Sequence, residues 1–121
     1  MVSYNLLSRP DDIEYITSVD LSNLHLDELP DWISECVNLR VLDCSHNYIT
    51  SLPELPKSLL RLYCSYNEIR FLPEVLPENL TYLDCSHNIL TILPILPSTL
   101  EQFVYHDNNI YPSIHKFEKF I

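Results

Sequence analysis

Residues 42–47 read Leu-Asp-Cys-Ser-His-Asn, and this stretch returns at 62–67 as Leu-Tyr-Cys-Ser-Tyr-Asn and at 83–88 as Leu-Asp-Cys-Ser-His-Asn. Its final asparagine recurs at spacings of 20 and 21 residues, and a degenerate fourth copy places Asn108 another 20 residues on. Apolar residues at the first and third places of the stretch are typical of a short strand with one buried face. A repeat of this length predicts a stack of coils that share one core.

The segments that link these stretches also repeat. They read Leu-Pro-Glu-Leu-Pro at 52–56, Leu-Pro-Glu-Val-Leu-Pro at 72–77 and Leu-Pro-Ile-Leu-Pro at 93–97. Two prolines so close together exclude a helix interior, because proline lacks the N–H that an interior helix residue donates. The linking segments are therefore predicted to be extended and polyproline-like, with their leucines turned into the core.

The whole frame is Leu-x-x-Leu-x-Leu-x-x-Asn-x-Leu, which identifies the chain as a leucine-rich-repeat protein over about residues 16–110. The short Leu-Pro-x-Leu-Pro return resembles the repeats of bacterial effectors of the IpaH and YopM type, and those of giant amoeba viruses and amoebae. The fold class expected is an α/β repeat. It is a single leucine-rich-repeat solenoid with a short parallel β-sheet on its concave face, a mostly extended convex side and little helix.

The 121 residues are predicted to form one domain. We expect an N-terminal cap over 1–15, five repeats over 16–110 and a C-terminal cap over 111–121. Ile13 and Tyr15 are expected to cover the first coil. In the first return, a helical turn is expected to begin at Pro30 and to place Trp32 and Ile33 over the core. A stack this short is expected to be a monomer or a weak dimer.

Two kinds of residue recur because stacking requires them. The sixth positions of the frame are expected to form a column of buried thiols, and the ninth positions a ladder of side-chain hydrogen bonds to the backbone. The chain contains no glycine, so asparagine is also the expected residue where φ must be positive. These structural residues are Cys44, Cys64 and Cys85, and Asn47, Asn67, Asn88 and Asn108.

The third, fifth and eighth positions vary from coil to coil and are expected to face outward. Tyrosine and arginine there are typical of the energetic centres of protein interfaces. An alternative is that these side chains only pack across the strands and stabilise the sheet. The predicted partner-binding residues are Arg61, Tyr63, Tyr66 and Tyr82 in a central cluster, flanked by Asp43 with His46 and Asp84 with His87.

Charge narrows the classes of partner. The formal net charge is −10, which disfavours nucleic acid and anionic membranes as partners. The first 35 residues are the most acidic, and they form either a solvated end or a patch for a basic partner. Unpaired core thiols favour the cytoplasm, or the host cytoplasm if the chain is of viral or effector origin.

No catalytic, metal or cofactor site is expected. The Asp43/His46 and Asp84/His87 pairs lie two predicted strands apart, about 10 Å, which is too far for one ion. The ligase activity of the effectors that the repeats resemble needs a Cys-x-Asp motif, which this chain does not contain. The predicted function is therefore a non-catalytic module that binds a protein on its concave face. The alternative is a recognition part or adaptor of a larger effector or ligase, and a metal or redox protein is a remote one.

Overall fold

The computed structural model describes residues 8–110, which form one five-stranded parallel sheet in chain order. Each strand is three residues long, and consecutive strands pair in register, so that Leu42 lies between Val19 and Leu62. The strands are β1 Ser18–Asp20, β2 Val41–Asp43, β3 Arg61–Tyr63, β4 Tyr82–Asp84 and β5 Gln102–Val104. The predicted solenoid with a short parallel sheet and little helix is confirmed.

The alternation of burial along each strand follows the period-2 geometry of extended chain. In β3 the central Leu62 is fully buried, whereas Arg61 is exposed and Tyr63 is half-buried. The middle residues of β2 and β4 are buried in the same way. One face of the sheet is thus closed by core leucines, and the other is left to the residues that vary.

The core is a set of columns that run through the stack. Cys44, Cys64 and Cys85 are fully buried one above the other, and leucines from the returns close the opposite wall. Cys36, under the first return, is also fully buried. A thiol fits here because its side chain is small and apolar enough to stack in adjacent coils that are about 4.8 Å apart.

The asparagines hydrogen-bond to the main chain within and between coils. The side-chain N–H groups of Asn67 donate to the carbonyl oxygens of Cys44 in the preceding coil (3.0 Å) and of Cys64 in its own (3.2 Å). Its Oδ1 accepts from the N–H of Ile49 (3.0 Å). Asn88 repeats this arrangement one coil later, so each amide satisfies backbone groups that the turn leaves without a backbone partner.

Four of the six positive backbone angles among the described residues fall one residue before these asparagines, and the other two are at Asn23 and His25 in the first coil. His46, Tyr66, His87 and Asp107 have φ between 53° and 59°. The prediction that the asparagines themselves would take this conformation is wrong, because their amides must point into the core to reach the carbonyl oxygens. At three of these four turns the left-handed conformation is therefore taken by a histidine or a tyrosine, for which it is unfavourable by about 1 kcal/mol or more.

The returns are extended, as the paired prolines predict. The structure places Val75 opposite Ile95 as a parallel bridge on the convex side, and both side chains are exposed. Within the described residues, helical structure is limited to two 3₁₀ segments, Ile13–Tyr15 and Asp31–Glu35. The second places Trp32 and Ile33 in the core, as expected.

The ends of the stack are only partly described. Ile13 is buried against the first coil, whereas Tyr15 is 77% exposed, so the prediction that Tyr15 covers the core is wrong. The 3₁₀ segment turns its ring outward to solvent. The predicted C-terminal cap, residues 111–121, lies outside the described residues, as do residues 1–7 of the predicted N-terminal cap.

Candidate functional site: the outer face of the sheet and its turn edge

The outer face of β3 and β4 carries a pair of tyrosines. Tyr63 lies on β3 and Tyr82 on β4, and their ring centroids are 4.9 Å apart with a 36° angle between the planes. Arg61 pairs with Tyr82 in the strand register and is exposed. Partial burial, followed by the charge of Asp84, raises the pKa of Tyr82, so its hydroxyl remains a hydrogen-bond donor over the physiological range. We call Arg61, Tyr63 and Tyr82 the central cluster.

Aspartates at the fifth position are engaged in their own turns. Asp43 Oδ1 accepts hydrogen bonds from both the backbone N–H (3.0 Å) and the hydroxyl (2.6 Å) of Ser45. Asp84 and Ser86 repeat this geometry. Such Asx turns close the bend after each strand. The predicted partner-binding residues Asp43 and Asp84 therefore lie beside the central cluster, and one carboxylate oxygen of each is hydrogen-bonded within its own turn.

In the first coil the corresponding Asx turn changes the pKa of its aspartate, Asp20. The hydroxyl of Ser22 and its backbone N–H both donate to Asp20 Oδ1, at 2.6 and 2.9 Å. These hydrogen bonds lower the pKa of Asp20, since they favour the ionised carboxylate. The carboxylate of this turn is thus a fixed negative charge at the end of the strand.

A second group of rings follows the eighth positions along the end of the sheet. Tyr66 is stacked between His46 and His87, with centroid distances of 4.5 and 4.1 Å and planes within 11° of parallel. We call these three residues the turn-edge row. The prediction of one cluster containing Tyr66, Tyr63 and Tyr82 is therefore replaced by two groups, because Tyr66 follows the strand and its positive φ turns the ring toward the neighbouring turns.

The turn-edge row borders a shallow groove at its N-terminal end. The rings of His25 and Tyr48 are parallel to within 20° at a centroid distance of 6.0 Å. Together with Asn23, His46 and Tyr66 they line this groove. Exposed aromatic surface thus continues from the third coil to the first.

At the last turn, three polar groups converge that the sequence analysis did not bring together. Asp107 Oδ2 lies 2.6 Å from Nδ1 of His106 and 3.3 Å from Nε2 of His87. The hydrogen bond with His106, aided by the charges of both imidazoles, lowers the pKa of Asp107. The 20-residue spacing could have revealed this group, since it aligns His87 with Asp107; the sequence analysis paired His87 only with Asp84.

The cysteine column has no features of a reactive site. Burial raises the pKa of Cys44 and of Cys85 to about 12, and the pKa of Cys64 also lies well above its ordinary value because of burial. All four cysteines of the chain, including Cys36, are free and buried. A buried protonated thiol is a poor nucleophile and a poor metal ligand, so these cysteines fit a packing function.

Comparisons with known proteins agree with the geometry. The Leucine Rich Repeat family model matches residues 38–59 and 79–103. A Shigella effector leucine-rich-repeat domain superposes with a TM-score of 0.80 at 36% sequence identity, over 92% of this chain and 51% of that domain. YopM from Yersinia enterocolitica aligns at 28% identity with a TM-score of 0.42, over 76% of this chain and 29% of YopM.

A curated relative is human oligodendrocyte-myelin glycoprotein, which is 37% identical over 70 residues. That match covers 56% of this chain and 16% of the glycoprotein. The chain thus spans about half of the Shigella domain and a small part of the human protein. Its fold is a solenoid of short leucine-rich repeats, and these repeats are similar to those of the Shigella effector domain. This fold is that of protein–protein interaction modules, which typically are not catalytic.

Across residues 8–110 the structure has no helix with the length and apolar character needed to cross a bilayer.

Proposed function

We propose that this protein is a non-catalytic module that binds a partner protein through the outer, concave face of its sheet. The central cluster of Arg61, Tyr63 and Tyr82 is the energetic centre of the interface. The turn-edge row of His46, Tyr66 and His87 extends it along the ends of the strands.

The observation that carries this proposal is the identity of residue 63. The fifth position of the repeat is the last residue of each strand. In β1, β2 and β4 it is an aspartate that accepts a hydrogen bond from the hydroxyl of the serine two residues later, with O···O distances of 2.6 Å. In the third coil the serine is retained as Ser65, but Tyr63 replaces the aspartate. A tyrosine has no carboxylate oxygen to accept hydrogen bonds from both the hydroxyl and the backbone N–H of that serine. The local turn therefore does not explain Tyr63, whereas recognition of a partner does.

The chemistry of the cluster suits protein recognition. Tyrosine and arginine combine large contact area with hydrogen-bonding groups, and they dominate the binding energy of many interfaces. The strands beneath fix the backbone, so little conformational entropy is lost when a partner binds. Asp43 and Asp84 flank the tyrosines on the neighbouring strands and favour a partner with donor or basic groups at the rim of its contact surface.

A crosslinking experiment tests which face is used. A photoreactive phenylalanine analogue at position 63 should crosslink a partner protein from cell lysate, and the same analogue at Ile95 on the convex side should not. Ile95 is a suitable control because its side chain is 90% exposed. Equal crosslinking from both positions, or crosslinking from 95 alone, would refute the proposed face.

Substitution tests the energetic contribution of the same residues. The variant with alanine at both Tyr63 and Tyr82 should lose capture of the crosslinked partner, with an effect on binding of at least about 2 kcal/mol. Its melting temperature should fall only slightly, since the ring pair contributes roughly 1 kcal/mol. Retained capture by a folded double variant would show that the interface lies elsewhere.

We also propose that the module acts in a reducing compartment such as the cytoplasm. Four free buried cysteines support this, because unpaired thiols in a small domain are typical of reducing conditions. Differential alkylation in intact cells should find all four thiols reduced. A substantial oxidised fraction in cells would contradict this location.

A further inference from the structure

The last described turn presents three potential metal ligands to solvent. They are one imidazole nitrogen from each of His87 and His106 and a carboxylate oxygen of Asp107, and all three atoms lie within 4.8 Å of one another. His106 and Asp107 are exposed, and His87 is half-buried. An ion could therefore reach the group without any opening of the core.

The group exists because the last coil departs from the others. In the preceding coils the seventh position is serine, with Ser65 and Ser86 as the nearest examples, and here it is His106. The fifth position is Val104 rather than an aspartate, so no Asx turn forms. The acidic residue of this coil is instead Asp107, three residues after Val104 at the end of β5. The polar groups of this turn thus point toward the neighbouring imidazole of His87.

The backbone holds the two turns at a fixed separation. Strands β4 and β5 pair in register, and beyond them the N–H of His87 donates to the carbonyl oxygen of His106 at 3.0 Å. The amide of Asn108 ties the same turn to the carbonyl oxygen of Cys85 at 3.0 Å. The three ligand side chains therefore extend from main chain that is already hydrogen-bonded across the coils.

The distances suit a small divalent ion. Imidazole nitrogen and carboxylate oxygen bind zinc at about 2.0–2.2 Å, so two ligands of a tetrahedral ion lie roughly 3.3 Å apart. The 3.3 Å between His87 Nε2 and Asp107 Oδ2 already fits this spacing. The 2.6 Å hydrogen bond between His106 Nδ1 and Asp107 Oδ2 would be replaced by two bonds to the metal, after a small rotation of either side chain.

We propose that His87, His106 and Asp107 form a surface site for a divalent ion of the zinc type. Two imidazoles and one carboxylate are the ligand set that such ions prefer, and they leave a fourth position for water. The net charge of −10 favours the approach of a cation.

The experiment is a titration of tag-free, full-length protein with Co²⁺, followed by competition with Zn²⁺. One equivalent of Co²⁺ should produce the visible absorption of a tetrahedral or five-coordinate ion, without a thiolate-to-cobalt charge-transfer band, and Zn²⁺ should displace it. Asp107→Asn and His87→Ala should each weaken binding by at least about tenfold. His46→Ala is the matched control, since His46 occupies the same repeat position as His87 and also stacks on Tyr66 but is not one of the three converging ligands. This variant should bind within about twofold of wild type.

A second variant keeps the test valid if His87→Ala fails to fold. His106→Ser restores the residue of the preceding coils and should retain the circular dichroism spectrum and melting temperature of the wild type while losing metal. The proposal is overturned if no saturable binding occurs or if the spectrum shows thiolate ligands. It is also overturned if an adventitious ion only is found, seen as binding that His46→Ala weakens as much as Asp107→Asn.

Discussion

The inner columns and the outer face of this solenoid are built from the same repeat, yet they follow opposite rules. At the ninth position Asn47, Asn67 and Asn88 make the same bonds coil after coil, because each must satisfy the same backbone groups. At the fifth position, Asp43 is followed by Tyr63 one coil later, with no loss of strand register. Recurrence therefore marks what stacking requires, and variation marks where a partner can be specified.

The largest expected effect comes from removing the side-chain amide of one asparagine in the inner ladder. Asn67→Ala would leave the N–H of Ile49 without its side-chain partner. It would also remove one of the two asparagine hydrogen bonds that each of the Cys44 and Cys64 carbonyl oxygens accepts. The unpaired buried N–H costs about 1–3 kcal/mol and each of the two lost hydrogen bonds about 1 kcal/mol, so we expect a loss of about 3 kcal/mol or more in the free energy of unfolding. Urea denaturation followed by circular dichroism measures it.

Asn79→Ala is the matched control for that experiment. Asn79 is exposed in the turn before β4, and its replacement should change the free energy of unfolding by no more than about 0.5 kcal/mol. Equal losses from the two variants would mean that the asparagine ladder adds nothing beyond the loss of one polar side chain.

The cysteine column gives the next largest effect, and it depends on pH. Burial raises the pKa of Cys44 and Cys85 to about 12, from an ordinary value of 9.0 that applies in the unfolded chain. Between these values the unfolded chain releases thiol protons that the folded protein retains. The free energy of unfolding is therefore unaffected by these thiols below about pH 9 and decreases between about pH 9 and pH 12, by roughly 1 kcal/mol per pH unit for each thiol.

Cys85→Ala isolates this contribution from other groups that titrate in alkali. The variant should be less stable at neutral pH, because the substitution leaves a small cavity. Between pH 9 and 12 its free energy of unfolding should decrease less steeply than that of the wild type, by roughly 1 kcal/mol per pH unit. Unfolding by urea at several pH values gives both slopes. Parallel slopes would show that the thiol of Cys85 ionises as readily in the folded protein as in the unfolded chain.

The sequence predicted the inner columns better than the outer face for a physical reason. Period and residue type determine which side chains must be buried, so the strands and the core position of Cys64 followed from the spacing alone. The position of an exposed ring depends on φ and on its neighbours. Tyr66, predicted to lie in one cluster with Tyr63 and Tyr82, stacks between His46 and His87 at a turn where its φ is 54°. The group at His87 was missed because its partners lie in the least regular repeat.

The turn-edge row should tolerate a substitution that the inner columns would not. Tyr66→Asn removes two ring stacks, worth roughly 0.5–1.5 kcal/mol each on a buried surface and less here. It also places asparagine where φ is 54°, which relieves strain of about 1 kcal/mol. We expect a net change within about 1 kcal/mol in thermal unfolding, together with weaker partner capture. A loss near 3 kcal/mol would mean that the row is structural.

The smallest expected change in stability comes from Tyr63→Asn, which makes β3 resemble its neighbours. The amide oxygen of an asparagine can accept from Ser65 as Asp43 does from Ser45, without adding a third carboxylate between Asp43 and Asp84. The gain of about 0.5–1 kcal/mol from these bonds should offset the loss of the Tyr63–Tyr82 contact.

Chemical denaturation and partner capture, measured on the same preparation of Tyr63→Asn, separate folding from recognition. If Tyr63 serves recognition, stability stays within about 0.5 kcal/mol of wild type while binding weakens by at least about 2 kcal/mol. If the tyrosine pair instead serves only to stabilise the sheet, stability falls and capture by the folded protein is unchanged. In the first outcome only binding changes, and in the second only stability changes. This one substitution therefore decides whether Tyr63 contributes to partner recognition or to the stability of the sheet.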